Sequence, residues 1–244
     1  NKLFLDIWYS KNFIFRIISI LLLPLSIVYF IAFNLRTYFR RSHSFEIPII
    51  CIGNIVVGGS GKTSIALSLI KMLPDKKIVV LIKGYKGRLK GTIKVDKTKH
   101  SAIDTGDEAL LYARVGTTYI CSIRKDAIDT IIKIEKPDLI ILDDGLQDSS
   151  INKSKSIVAI NGRRGFGNKL LLPAGPLRQN ILSTIHKDYL FLILGEDKTN
   201  ISSKYSNSFF KAEIISEVDG NNRKIVAFSG IGDNESFFQT LENY

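Results

Sequence analysis

The chain has 244 residues, 45% of them hydrophobic, with 34 Lys and Arg against 23 Asp and Glu, a formal net charge of +11; this suits one large α/β domain, or one domain with an appended piece. Cys51 and Cys121 both fall in apolar, strand-like runs, and His43, His100 and His186 are scattered, which excludes a disulfide framework and Cys/His metal spacing and fits a reducing compartment. The positive balance points to an anionic partner, whether nucleic acid, an acidic membrane surface or a phosphorylated substrate, or else to a generally basic proteome.

Residues 1–46 stand apart in composition. Ile17 to Phe33 carries no charge, with Arg16 before it and Arg36, Arg40 and Arg41 after it. As a helix this run would be about 26 Å long, at the short end for crossing a bilayer, and Pro24 would kink it. It reads first as a membrane-lying or shallowly inserted anchor, with a single span and a soluble core helix as alternatives. No small-residue cleavage site follows it, which disfavours a cleaved signal. The arginines after it suit anionic lipid head groups at a cytoplasmic face.

The stretch that organises the remainder is Val57-Gly58-Gly59-Ser60-Gly61-Lys62-Thr63. It lies between the apolar runs Ile47–Ile52 and Ile65–Ile70, an order that reads as strand, glycine-rich turn and helix. Glycines let backbone N–H groups close around phosphate oxygens, and the helix adds its positive end. Lys62 would reach the β- and γ-phosphates and Thr63 would offer its hydroxyl to Mg²⁺. The full phosphate-loop pattern asks for Gly at position 56, where Val56 stands.

Ile78–Ile82 is a second buried strand, followed by the basic, glycine-punctuated loop Lys83–Gly91. Thr105-Gly106-Asp107-Glu108 opens a helix-like segment through Ala113, where acidic residues alone read as ordinary capping. Thr118–Cys121 is strand-like and Asp126–Ile134 helix-like. The run Leu139–Leu142 then ends in Asp143-Asp144. In phosphate-loop proteins a carboxylate at the end of a core strand faces Mg²⁺. Ile157–Ile160 is a further strand. It runs into a long loop carrying Arg163, Arg164 and Arg178 among Gly and Pro, and guanidinium forks fit phosphate. Residues 189–194 and 225–231 read as strands, 195–224 as peripheral, and Asn234–Tyr244 as a helix. Alternating strands and helices predict a parallel sheet with the site at its carboxyl edge.

Gly53-Asn54 with the Gly58–Thr63 loop, Gly106-Asp107-Glu108, Asp143-Asp144-Gly145-Leu146-Gln147, Gly162–Asn168 and Leu172–Arg178 together resemble the tetraacyldisaccharide 4′-kinase family, the lipid A 4′-kinases of Gram-negative bacteria. The resemblance runs on to Phe228–Asp233. It implies a phosphate-loop α/β fold with a membrane-associated segment (1–46) and a kinase domain (47–244). It also implies an enzyme on the cytoplasmic face of the bacterial inner membrane. That enzyme moves the γ-phosphoryl of ATP to the 4′-hydroxyl of a tetraacylated glucosamine disaccharide 1-phosphate, as a monomer with no nucleic-acid partner.

By the same resemblance Gly58, Gly59, Ser60, Gly61, Lys62, Thr63 and Ser64 hold ATP, and Thr63 and Asp143 hold Mg²⁺. Asp107 is the base, Asp144 and Lys62 act with it, and Arg163, Arg164 and Arg178 meet the anionic glycolipid. The chain departs from the family pattern at Asp148 (usually His), Gln179 (usually Glu) and Lys83 (usually Arg), and the family continues past Tyr244 with a further His near the site. Two other classes stay open: a membrane-anchored ATPase switch, whose signature Lys is Val57 here, and a non-catalytic remnant of the kinase.

Overall fold

The computed structural model describes residues 2–185, 189–204 and 209–213. The strand expected over 225–231, the helix from Asn234 and His186 lie outside the described residues.

In chain order the elements are α1 (Lys2–Tyr9), α2 (Phe13–Leu21), α3 (Leu23–Phe39), β1 (Ile49–Gly53), α4 (Lys62–Met72), β2 (Ile78–Ile82), β3 (Ile93–Lys94), α5 (Ala102–Thr105), α6 (Asp107–Ala113), β4 (Thr117–Ile120), α7 (Arg124–Glu135), β5 (Leu139–Asp143), β6 (Lys155–Asn161), α8 (Ile181–Ile185), β7 (Tyr189–Leu194), α9 (Ile201–Lys204) and β8 (Phe209–Ala212). Every residue of β2 and β5 is buried, as expected of apolar strands covered on both faces of a parallel sheet. Among the described residues the strands form one sheet in the order β3-β4-β2-β5-β1-β6-β7-β8. All pairings are parallel except that of β3 with β4. The chain leaves β1 toward β2 on one side and later returns to place β6 on the other, so β1 sits at a topological switch point. Ligands of such sheets bind outside the carboxyl ends of the strands there. The stretch 195–224, expected to be peripheral, contributes β8 beside β7 through Phe191 and Phe209, whose rings stack at 4.7 Å.

The N-terminal apolar run is two helices, not one. α2 and α3 meet at Leu22 with a bend of 49°, and Pro24 lies in the first turn of α3. There its missing N–H leaves no bond unmade, so the proline starts a helix instead of kinking one. Among the described residues no single helix is long and apolar enough to cross a membrane, while this bent pair together meets the length and composition.

The amphipathy of the pair is inverted. Ser19 and Ser26 face the protein and are buried, while Ile17, Ile20, Leu21, Leu25, Ile27, Val28, Ile31 and Leu35 face out. Ser26 Oγ donates to the Leu171 carbonyl (2.9 Å) and accepts from Ala174 N–H (3.1 Å), and Tyr29 OH donates to the Arg178 carbonyl (2.7 Å). From α1, Trp8 Nε1 donates to the Pro173 carbonyl (3.0 Å). The helices α1, α2 and α3 are thus docked on the 168–178 loop, with Ile7 and Trp8 of α1 buried and the apolar surface of α2 and α3 turned away from the protein. An exposed apolar face of this extent marks a surface that meets lipid or a partner.

Candidate active site

The glycine-rich loop joins β1 to α4. Gly53 must be glycine because a Cβ there would meet Leu146 Cβ at 2.7 Å. Asn54, fully buried, ties the loop together by donating through Nδ2 to Ser60 Oγ (2.9 Å) and the Gly58 carbonyl (3.3 Å). The other wall is the 172–178 segment. Val57 N–H donates to the Pro176 carbonyl and Arg178 N–H to the Ile55 carbonyl, both at 2.8 Å. Gly61 is left-handed (φ 76) and α4 begins at Lys62, so the helix presents its free N–H groups at the carboxyl edge of the sheet. Gly58, Gly59 and Ser64 are exposed and Lys62 and Thr63 half-buried, whereas the Ser60 side chain is buried and engaged with Asn54. Ser60 therefore offers an incoming anion its backbone rather than its hydroxyl.

The two carboxylates that end β5 face different surroundings. Asp143 is 2% exposed, and its Oδ1 has no hydrogen-bond partner. Burial pushes its pKa up to about 6, with Glu108 and Asp144 acting in the same direction and Lys62 and Tyr112 opposing. Asp144 adopts a left-handed backbone (φ 48) and its N–H donates to the Ile52 carbonyl (2.9 Å). This turns its carboxylate to the loop, 3.7 Å from Lys62 Nζ and 2.9 and 3.0 Å from one guanidinium nitrogen of Arg178. Burial raises the pKa of Asp144, but Lys62 and Arg178 outweigh it and hold the group below its ordinary value.

α6 closes the site from above β4. Gly106 (φ 88) precedes it, and a Cβ there would meet the Tyr85 carbonyl at 2.7 Å. Asp107 is exposed and its Oδ1 accepts from Glu108 N–H (3.0 Å). Gly106 is the N-cap of α6 and makes no side-chain cap bond, so Asp107 sits in the first helical turn with an exposed carboxylate. Asp107 lines a cavity of about 220 Å³ with Gly84, Tyr85, Lys86 and Thr105.

Two residues of α6 join the site without a role assigned from the sequence: Glu108, named there only as part of a motif and as an acidic first-turn residue, and Tyr112, which was not singled out. Glu108 has its pKa raised by burial, with Asp107 and Asp144 adding to the rise and Lys62 opposing. Tyr112, one turn further along the same face, is fully buried. Its hydroxyl faces Thr63 and Asp143 without completing a well-formed hydrogen bond to either. The i, i+4 spacing from Glu108 was the available signal.

Of the three predicted substrate arginines, Arg178 reaches Asp144. Arg164 lies over the Tyr9 ring, 5.8 Å from its centroid. The backbone N–H groups of Arg163 and Arg164 both donate to Asn161 Oδ1 (3.1 and 3.0 Å), which shapes their loop. Between α3 and the site lies a cavity of about 440 Å³, lined on one side by Tyr29, Phe33 and Arg36 and on the other by Gln147, Ser149 and Arg178. Gln147 links this wall to the loop by donating to the Asn54 carbonyl (2.8 Å) and to Gln179 Oε1 (3.2 Å).

The arrangement is a cationic loop at a helix N-terminus facing a cluster of carboxylates, the composition that binds a nucleotide with a divalent ion. Among the described residues no group of three or more His, Cys, Asp or Glu could hold a metal unaided. Mg²⁺ asks for less, since it is bound by one or two carboxylates together with phosphate oxygens and water. The unpartnered Asp143 oxygen and the Thr63 hydroxyl fit it.

The family profile described as tetraacyldisaccharide-1-P 4′-kinase matches residues 18–244. The tetraacyldisaccharide 4′-kinase of Rickettsia typhi is 36% identical over 249 residues, 99% of this chain and 75% of that protein. The same enzyme of Rickettsia felis is 37% identical over 248 residues, 99% of this chain and 74% of the relative. The crystal structure of LpxK from Aquifex aeolicus in complex with ATP superposes with a TM-score of 0.75 at 27% identity, covering 93% of this chain and 78% of that one.

Proposed function

This chain belongs to the tetraacyldisaccharide-1-P 4′-kinase family, and on that premise we propose how its residues carry the reaction. The chain is an ATP-dependent, membrane-associated kinase of a lipid A precursor. The acceptor in this reading is the 4′-hydroxyl of a tetraacylated glucosamine disaccharide 1-phosphate at the cytoplasmic face of the inner membrane. Arg36, Arg40 and Arg41 beside the apolar helices support that face.

Backbone N–H groups from Gly58 to Ser64 cradle the ATP phosphates, and Lys62 supplies a point charge to the β- and γ-phosphates. Thr63 and Asp143 are the residues that would hold Mg²⁺, which when bound neutralises charge on the phosphate oxygens. Asp107 accepts the proton of the 4′-hydroxyl as the oxygen–phosphorus bond forms and the bond to the leaving ADP oxygen breaks. Asp144 orients Lys62 and Arg178. Arg163, Arg164 and Arg178 meet the anionic head group, and the cavity beneath α3 admits the amphiphile between membrane and loop. Every group in this assignment comes from one chain, in keeping with a monomer, and the net positive charge serves an anionic lipid rather than nucleic acid.

The observation that carries the reading is the convergence of Lys62 and Arg178 on Asp144 beside a buried, unpartnered Asp143 oxygen. The test is transfer of labelled γ-phosphate from ATP to a lipid A disaccharide 1-phosphate in detergent micelles. Label on the sugar is expected. ATP hydrolysis with no labelled acceptor would replace this reading with an ATPase switch.

A further inference from the structure

Away from the phosphates, a buried ion cluster backs the acidic pair. Arg124, the first residue of α7, is 4% exposed. One guanidinium nitrogen donates to the carbonyls of both Asp143 and Asp144 at 3.0 Å each, and the other to Asp148 Oδ2 at 3.0 Å. Asp148 is itself buried and saturated. Its Oδ1 accepts from Ser150 N–H (3.1 Å), Ser150 Oγ (2.6 Å) and Arg40 (3.2 Å), and its carbonyl accepts from Lys153 Nζ. Arg40 caps the C-terminus of α3, the helix whose apolar face is turned outward.

The geometry matters because Asp144 is a non-glycine residue in left-handed backbone, a conformation that persists only where its surroundings impose it. Two successive carbonyls held by one guanidinium nitrogen impose it. They fix the turn that sends one carboxylate inward and the next toward Lys62. We propose that Arg124 and Asp148 are positioning residues for phosphoryl transfer, and that Arg40 ties the seating of the membrane-facing helix α3 to the same turn. Neither Arg124 nor Asp148 touches the reacting atoms in this account. The inference rests on the assignment of Asp143 and Asp144 to the transfer step.

The experiment uses the full chain on vesicles carrying the lipid acceptor. Turnover is expressed per ATP-binding site, with sites counted by titration calorimetry, so that a loss of folded protein does not mimic a loss of chemistry. Arg124→Lys keeps the charge but cannot span both carbonyls and Asp148. Its per-site turnover is expected to fall by about tenfold or more, with ATP affinity kept within about twofold. Asp148→Asn retains one acceptor oxygen and falls less. The double variant should lose much less than the product of the two single losses, because Arg124 and Asp148 share a contact and act on the same turn. Arg40 is 38% exposed, and Arg40→Gln should lose only about threefold.

Wild-type per-site turnover in Arg124→Lys overturns the proposal. If that variant does not fold, Asp148→Asn decides: wild-type per-site turnover overturns the proposal, and slow turnover with intact ATP binding sustains it. Asp144→Asn is the control. If it turns over at the wild-type rate, the assignment of the acidic pair fails rather than the positioning role.

Discussion

Arg178 donates from a single guanidinium nitrogen to both carboxylate oxygens of Asp144, at 2.9 and 3.0 Å. The same residue pairs with the phosphate loop, since its own N–H donates to the Ile55 carbonyl. Arg178 thus joins the two walls of the site while its carbonyl holds Tyr29 of α3. Both partners of the pair are partly solvated, so the pair contributes about 1 kcal/mol or less to stability. Arg178→Lys is therefore expected to melt within a few degrees of wild type, as a change of about 1 kcal/mol allows. It should slow transfer about tenfold, because an ammonium lacks the further planar donors that the guanidinium offers the anionic head group. Thermal melts beside transfer rates check this. A variant as fast as wild type would remove Arg178 from the reaction.

Asp107→Asn keeps the shape of the α6 N-terminus and its contact with Glu108 N–H, but it cannot take a proton. Transfer should fall by about 10²–10⁴-fold, the usual share of a general base, with ATP affinity unchanged. Single-turnover transfer and calorimetric ATP binding measure the two quantities separately. Retained full activity would leave Asp107 as an acidic first-turn residue of α6 only.

Asp143 makes the folded protein, free of nucleotide and metal, sensitive to pH. Its folded pKa is raised from 3.8 to about 6, so the folded state holds this proton more tightly than the unfolded chain does. The associated stability is present below about pH 4 and is lost as pH rises through about 6. The loss is on the order of 2–3 kcal/mol for a buried group shifted this far. Asp143→Asn removes the titration. In chelator, it should melt above wild type at pH 7 and converge with it near pH 4, while losing transfer. Parallel melting curves for the two proteins from pH 4 to 7 would contradict the burial argument.

Ile27 and Ile31 are one turn apart on the outward face of α3, and both are exposed. Replacing both with Ser should leave folding and ATP binding intact and weaken binding to anionic vesicles by at least about tenfold. Withdrawing two such side chains from an apolar phase is worth about 3 kcal/mol at full burial and less at an interface. Flotation with anionic vesicles is the measurement. Unchanged partitioning would show that another surface meets the lipid.

Much of the core was legible because its signals are local. The strands β1, β2, β5 and β7 lie where unbroken apolar runs placed them, and α4 follows its glycine turn. The elements that differed from expectation depend on neighbours distant in sequence. Residues 195–224 look polar and peripheral, yet Phe209–Ala212 joins the sheet at its edge as β8, with Phe209 stacked on Phe191. Pro24 reads as a mid-helix kink until the break at Leu22 makes it a helix start. Asp148 reads as a departure from a family pattern, and only the fold shows the Arg124 and Arg40 that it joins.

The sequence by itself determined the phosphate loop, the alternating strands and helices, the paired carboxylates and a family resemblance that comparison with known kinases bears out. Each is written in contiguous residues, so local propensity and spacing suffice to read it. Tertiary structure decided which carboxylate of the pair is buried and which meets Lys62. It also brought Tyr112 to Asp143 and Thr63, and turned the serines of α2 and α3 inward and their isoleucines outward. Burial and electrostatics are set by residues tens of positions away, and no local pattern encodes which of two adjacent aspartates loses its water.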